Sequence, residues 1–355
     1  MAAPAKGRKL YIDLLRILAA FLVVYNHTSG YLYYLNNYSG IRETGVFIVL
    51  SVITRINVPI FYMISGALLL GREESLAILF KKRILRFVAV LLCASVVTYI
   101  GYNWQALNLR DFIFGLVAGK ITTIYWFLYA YLGFLFMLPI LRKIAQKMEA
   151  SDMCLLLGGL LLIRILPTAA KLASWYLLKI ELPAVSSYIT LPFIDSDVLF
   201  YPLVGFYCEK RISVEKIKKW MPCLTAAALA GILISAAATI CQGIAEGFTQ
   251  NHLDLCKRIY APATFLIAKY LFTKFEEKGV SPKLQNAVST LGSLTLGVYL
   301  MDPLFRKFLF NRLYNHVAHF IHPVPFSLIY CCISLLCCST VTYLLKKIPI
   351  IRKIL

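Results

Sequence analysis

The fold class predicted is all-α: a polytopic membrane protein with about ten transmembrane helices and both termini cytoplasmic. Three observations predict it. Hydrophobic residues make up 60% of the 355 and charged residues only 15%, against about 45–50% and about 25% in soluble domains. The apolar residues gather in runs long enough to cross a bilayer, without the short alternating segments of a β-barrel. The basic residues cluster between those runs, with 23 Lys and Arg in one alternating set of loops and tails and 10 in the other.

Taken in order, the spans fall at roughly 10–32, 44–70, 84–104, 124–141, 153–173, 190–208, 221–243, 258–273, 288–310 and 324–346. The fourth and eighth are short. The sixth, "TLPFIDSDVLFYPLVGFYC", is interrupted by polar residues and prolines. The loop set rich in Lys and Arg belongs in the cytoplasm, and an even number of spans brings both termini to that side. The first run resembles a signal peptide, but it is too long, holds Asp13 and Arg16, and lacks a small-residue cleavage site; it is expected to remain as the first helix. No repeat or linker divides the chain, so residues 1–355 are expected to form a single membrane domain.

The net charge of +20 comes from short basic clusters between apolar runs. That pattern sets membrane topology and does not make a nucleic-acid face. Most of the ten cysteines lie inside apolar runs, and no zinc spacing or disulfide framework appears. His316, His319 and His322 stand three apart in "NHVAHFIH" but have no acidic or cysteine neighbour; they are expected in an interfacial loop, and no metal site is expected.

The chemistry is expected from ionisable groups inside the spans, where they are costly and often functional. Arg16 and His27 are eleven residues apart. That places them about 20° off one helix face and about 16 Å apart along the axis. Asp13, three residues before Arg16, shares its face. Arg16 therefore lies toward the cytoplasm, and the imidazole of His27 toward the exterior. In the second span Arg55 lies deep within "RINVPIFYMISGALLL". Pro59 is expected to bend that helix and free backbone groups, and Ser65 and Gly66 to permit close packing. At the cytosolic mouth of the third span, Arg83 and Arg86 in "KKRILRF" are expected to share a face. A guanidinium pair suits phosphate groups, since each fork binds bidentately. Asp195 and Asp197 are expected on a solvated loop face, with binding of sugar hydroxyls the other reading, and Lys269 is expected to snorkel toward the cytosolic interface. Arg164 has no assigned partner.

Four stretches appear in order: "YIDLLRILAAFLVVYNHT", "RINVPIFYMISGALLL", "YWFLYAYLGFLFMLP" and "LGSLTLGVYLMDPLF". Together they resemble the acyltransferase 3 family of integral-membrane acyltransferases, most strongly over residues 10–141. The subgroup they resemble is the standalone bacterial O-acetyltransferase type, similar to the O-acetyltransferase of enterobacterial common antigen. The resemblance implies that Arg16 and His27 are the arginine and histidine of the first span. Arg83 and Arg86 match the family's R-x-x-R pair, which is associated with acyl-CoA. Arg55, Val58, Pro59 and Phe61 match its second-span stretch, and Trp126 and Pro139 its fourth-span stretch. Many members have a histidine where this chain has Tyr125, and another where it has Asp302. If either position contributes to acceptor binding, the acceptor is expected to differ from that of the better-known members.

On that resemblance the chain is expected to move an acyl group from cytosolic acyl-CoA, with acetyl-CoA the first choice, to a hydroxyl of an exported or lipid-linked cell-surface carbohydrate. The setting is the bacterial cytoplasmic membrane, and no permanently bound cofactor is expected. His27 would act as general base, with a covalent acyl-histidine as the other route. Arg55 would stabilise the oxyanion, and Arg16 would line the donor path or pair with Asp13. The competing expectation is a transporter of an anionic solute or lipid-linked sugar, binding through Arg16, Arg55 and Arg164. Inverted repeats with paired broken helices, common in such transporters, are absent.

Overall fold

The computed structural model describes residues 9–28, 41–180, 182, 195–247, 252–317 and 320–354. The N-terminal tail, the last residues of the first expected span, the first of the sixth and His319 lie outside them. Every described element is helical. In chain order the helices are α1 (Leu10–His27), α2 (Ile41–Thr54), α3 (Asn57–Leu69), α4 (Leu85–Asn103), α5 (Leu109–Val117), α6 (Trp126–Lys147), α7 (Ala150–Gly159), α8 (Leu166–Ala173), α9 (Asp197–Lys210), α10 (Val214–Glu246), α11 (Lys257–Glu277), α12 (Pro282–Phe305), α13 (Asn311–Val317), α14 (Pro323–Leu345) and α15 (Pro349–Ile354). Wider π-helical turns at Phe80–Ile84, Leu160–Ile165, Ser174–Leu178 and Arg306–Phe310 join or extend several of them.

Within the described residues each expected span falls largely on helix. Among the described residues eight helical stretches are long and apolar enough to cross a membrane. The sixth and eighth expected spans fall outside that set. α9 has 14 residues, about 21 Å of helix against a hydrocarbon layer of about 30 Å. α11 is long enough but carries Lys257, Arg258, Lys269 and Lys274.

The chain divides into two compact units. The first comprises Met1–Thr28, Arg72–Ile140 and Val280–Leu355. Here α1 packs on α12 and α14, and α12 also packs on α14 and α4. Close approach of α12 to α1 requires Gly292: a Cβ there would lie 2.7 Å from the Cβ of Asp13. Asp13 is buried at this contact and accepts a 2.9 Å hydrogen bond from Arg16 Nη1.

The second unit comprises Ser29–Gly71 and Leu141–Gly279. α3 lies along α9, and α10 along α11 and α2. The α3–α9 contact rests on reciprocal glycines. A Cβ on Gly66 would meet Pro202 O at 1.9 Å, and one on Gly205 would meet Met63 O at 2.1 Å. Small residues let two backbones touch in this way, which raises dispersion contact where lipid offers no hydrophobic gradient. The second expected span breaks at Arg55–Ile56, ahead of Pro59. Pro59 therefore sits in the first turn of α3, where its missing N–H leaves no hydrogen bond unmade. The carbonyl of Val52, near the break, accepts from Arg55 N at 3.2 Å and from the Tyr260 hydroxyl at 3.0 Å. Lys269 does not snorkel. It is buried, and its Nζ donates to the carbonyls of Cys208, Glu209 and Ile212 at 2.9, 3.2 and 3.1 Å. It thus closes the C-terminus of α9, where the helix dipole favours a cation, and pairs with the Glu209 carboxylate at 3.3 Å.

Candidate active site

The first unit positions one acidic side chain with unusual care. Pro303 interrupts the hydrogen-bond ladder of α12, and three tyrosines hold the segment around it. The Tyr125 hydroxyl donates to Leu300 O at 2.7 Å and lies 2.8 Å from Thr98 Oγ1. The Tyr102 hydroxyl donates to Pro303 O at 3.1 Å. Tyr299, on the segment itself, donates to Ile124 O. Beyond the segment the helix widens into the π turn Arg306–Phe310. Asp302 sits inside this collar and is 1% exposed.

Asp302 faces His27, the last residue of α1. Nδ1 of His27 and Oδ2 of Asp302 are 2.6 Å apart, across 275 residues of sequence. A carboxylate only accepts, so facing one Nδ1 is the donor, and in the neutral imidazole Nε2 then presents a lone pair. The His27 side chain is 16% exposed, and Nε2 has no partner among the described residues. An imidazole held by a buried carboxyl group is the arrangement that orients the base in hydrolytic triads. Asp302 had been singled out in the sequence only as a departure from the family pattern. A carboxylate inside an apolar span was the available signal; its partner was not legible. Tyr125, the other departure, supports the same segment from the tight turn Thr123–Tyr125 just ahead of α6.

The remaining expected residues of this unit divide. Arg16 pairs with Asp13, and its side chain is 27% exposed. Arg83 and Arg86 do not act as one clamp here. The π turn Phe80–Ile84 carries Arg83, whose guanidinium grips both oxygens of Glu74, with Nε to Oε2 at 2.8 Å. Arg86 Nε donates to the carbonyl of Ile354 in α15 at 2.9 Å.

In the second unit Arg55 belongs to a charged cluster built at the ends of helices. Arg55 Nε is 3.7 Å from Asp254 Oδ1. Lys257 Nζ bridges Asp197 at 3.0 Å and Asp254 at 3.3 Å. Arg258 Nη2 reaches Asp197 Oδ1 at 3.1 Å and Asp195 O at 3.2 Å. Arg164 forks onto Asp195 at 3.1 and 2.7 Å. Asp195 and Asp197 are therefore ion-paired and not a simple solvated face, and Arg164 gains the partner the sequence did not reveal. Elsewhere His316 Nδ1 bonds Arg312 O at 2.7 Å, and His322 accepts from Val324 N at the start of α14.

Comparison with known proteins agrees with this picture at the level of the family. Residues 9–343 match the profile described as "Acyltransferase domain", that of the acyltransferase 3 family. No curated protein and no solved structure matches the chain. The profile covers nearly the whole chain, so the transporter alternative gives way to an enzyme. The chain belongs to the acyltransferase 3 family and is a membrane acyltransferase.

Proposed function

We propose that this enzyme is an O-acyltransferase of the bacterial cytoplasmic membrane, of the standalone O-acetyltransferase type. It takes an acyl group from cytosolic acyl-CoA, acetyl-CoA first, and delivers it to a hydroxyl of an exported or lipid-linked carbohydrate. The carrying observation is the 2.6 Å contact between His27 and buried Asp302.

In the proposed step the acceptor hydroxyl gives its proton to His27 Nε2 while its oxygen attacks the thioester carbonyl carbon. Asp302 stabilises the imidazolium that forms. The tetrahedral intermediate collapses, the C–S bond breaks, and the thiolate recovers the proton from Nε2 to leave as free CoA thiol. His27 is regenerated and the ester is formed. Nδ1 stays committed to Asp302 throughout, so one nitrogen handles the proton in both directions. Arg16, held by Asp13, is assigned to the donor path and not to the bond changes. Arg55 pairs with Asp254 and is given no step here. Lys81, Lys82, Arg83 and Arg86 supply the positive charge for the nucleotide end of the donor. Glu74 and the Ile354 carbonyl occupy the two arginines and must yield to it.

The test is thiol release from acetyl-CoA by the protein in lipid nanodiscs, with cell-envelope extract as acceptor pool. Release that requires both extract and His27 is expected. Full release by a folded His27→Ala variant would refute the mechanism.

A further inference from the structure

The C-terminal end of α6 is tied down on one stripe and open on the next. Arg142 Nε donates to Leu69 O at 3.0 Å and Gln146 Nε2 to Leu70 O at 3.5 Å, which fixes that stripe to the end of α3. Lys143 and Lys147 form the neighbouring stripe. Four residues apart, they rise from one helix face with Cβ atoms about 5–6 Å from each other. Both are exposed, and neither ammonium has a hydrogen-bond or ion-pair partner among the described residues.

The two lysines share one groove of about 480 Å³ with side chains of α7 and α9. That volume lies within the roughly 300–1,000 Å³ of ligand-binding pockets. All of its lining belongs to the second unit. The wall is apolar, made by Ile144, Met148, Leu155, Leu156 and Leu203. Leu203 is 2% exposed and Leu155 77%, so the groove is covered at α9 and open past α7. Leu203 stands seven residues before the end of α9, about 10 Å into that helix. The apolar wall therefore continues inward from the charged mouth. The lining also holds one carboxylate, Asp152, against the two cations. Asp152 is engaged in starting α7, where its Oδ2 accepts from Glu149 N at 2.8 Å.

Two ammonium groups at the mouth of an apolar groove suit an amphiphile. A free phosphate would leave the wall wetted, and a neutral chain would leave the lysines without counter-charge. The loop charges assign this end of α6 to the cytoplasm, and basic pockets between membrane helices on that side suit anionic headgroups. We propose that the groove binds an anionic phospholipid of the cytoplasmic leaflet, with its phosphate bridging Lys143 and Lys147 and one acyl chain lying along Ile144, Leu156 and Leu203. The lipid fills the seam between α6 and α7. This site stands apart from the acyl-transfer proposal.

The experiment uses the full chain, delipidated in dodecyl maltoside, titrated with phosphatidylglycerol and followed by thermal unfolding. Wild type should show a saturable rise in Tm. Phosphatidylcholine, whose headgroup has no net charge, should bind at least tenfold more weakly. Glycerophosphoglycerol, which has the headgroup and no chains, should give no rise. Lys143→Gln combined with Lys147→Gln should weaken phosphatidylglycerol at least tenfold, while Lys143→Arg combined with Lys147→Arg should stay within threefold of wild type. Both lysines are exposed and bond nothing among the described residues, so these variants are expected to fold. Equal affinity for the two lipids, or a glutamine variant that binds phosphatidylglycerol as wild type does, overturns the proposal. A rise with glycerophosphoglycerol would make this a site for phosphate alone. A rise with palmitoyl-CoA, lost in the glutamine variant and absent with phosphatidylglycerol, would make it a donor site. Either result also overturns the proposal. Binding is read without turnover, so failure of acyl transfer and failure of this site are separate results.

Discussion

Replacing Asp302 by Asn tests the His27–Asp302 pair directly. The amide has almost the shape of the carboxylate, and its oxygen can still accept from Nδ1, so the imidazole keeps its position. What disappears is the negative charge facing the imidazolium. With the contact atoms at 2.6 Å, the charge centres are about 4 Å apart. At an effective dielectric constant of about 20 their attraction is about 4 kcal/mol. His27 is 16% exposed and Asp302 1%, so solvent screens this little. If the full charge develops in the transition state, the loss is about a thousandfold in rate; partial development lowers it to about a hundredfold. The measurement is thiol release in nanodiscs at saturating acetyl-CoA, beside acyl-CoA binding and thermal unfolding of the same sample. Turnover should fall by that range, with donor affinity unchanged and the variant still showing a cooperative unfolding transition. Turnover within threefold of wild type in a folded sample would show that Asp302 does not assist the base.

Glu74→Gln should free the Arg83 fork and tighten acyl-CoA binding about two- to fivefold, while Arg83→Glu should weaken it; equal affinities in a titration would remove Arg83 from the donor site. Tyr125→Phe deletes the contacts to Leu300 O and Thr98 and should cost about 1–3 kcal/mol of stability, with turnover reduced more than acyl-CoA affinity; an unchanged Tm and rate would mean the collar does not hold Asp302. Gly205→Ala places a methyl group 2.1 Å from Met63 O and should destabilise by about 3 kcal/mol, the upper part of the overpacking range. Gly158→Ala, with nothing within 4 Å, serves as control and should be neutral or stabilising; a Gly205→Ala protein as stable as this control would contradict the α3–α9 packing.

Much of the architecture was legible because membrane burial is a local property. An apolar run of about twenty residues declares itself whatever lies beside it, and eight of the ten expected spans stand among the described residues as helical stretches long and apolar enough to cross a bilayer. The Arg16–Asp13 pair was legible for the same reason, since residues three apart share one helix face. Where neighbours along the chain did not decide the outcome, the sequence fell short. Pro59 was expected to bend a continuous helix, but the chain breaks at Arg55–Ile56, where Tyr260 from α11 helps satisfy Val52 O. Lys269 looked like an interfacial lysine because the carbonyls it caps belong to α9.

The candidate site shows the same division. His27, as an ionisable group in a span, was determined by the sequence alone, and so was its place on one stripe with Arg16. Asp302 was visible as a residue but not as a partner. Its pairing with His27 depends on Gly292 admitting α12 to the face of α1, and on Tyr102 from α4 and Tyr125 from the turn ahead of α6 fixing the segment around Pro303. Arg164 met Asp195, and Arg83 met Glu74, through equally particular placements. Hydropathy is additive along a chain, whereas a hydrogen bond needs two atoms within about 3 Å, and only tertiary packing brings residues 275 positions apart to that distance.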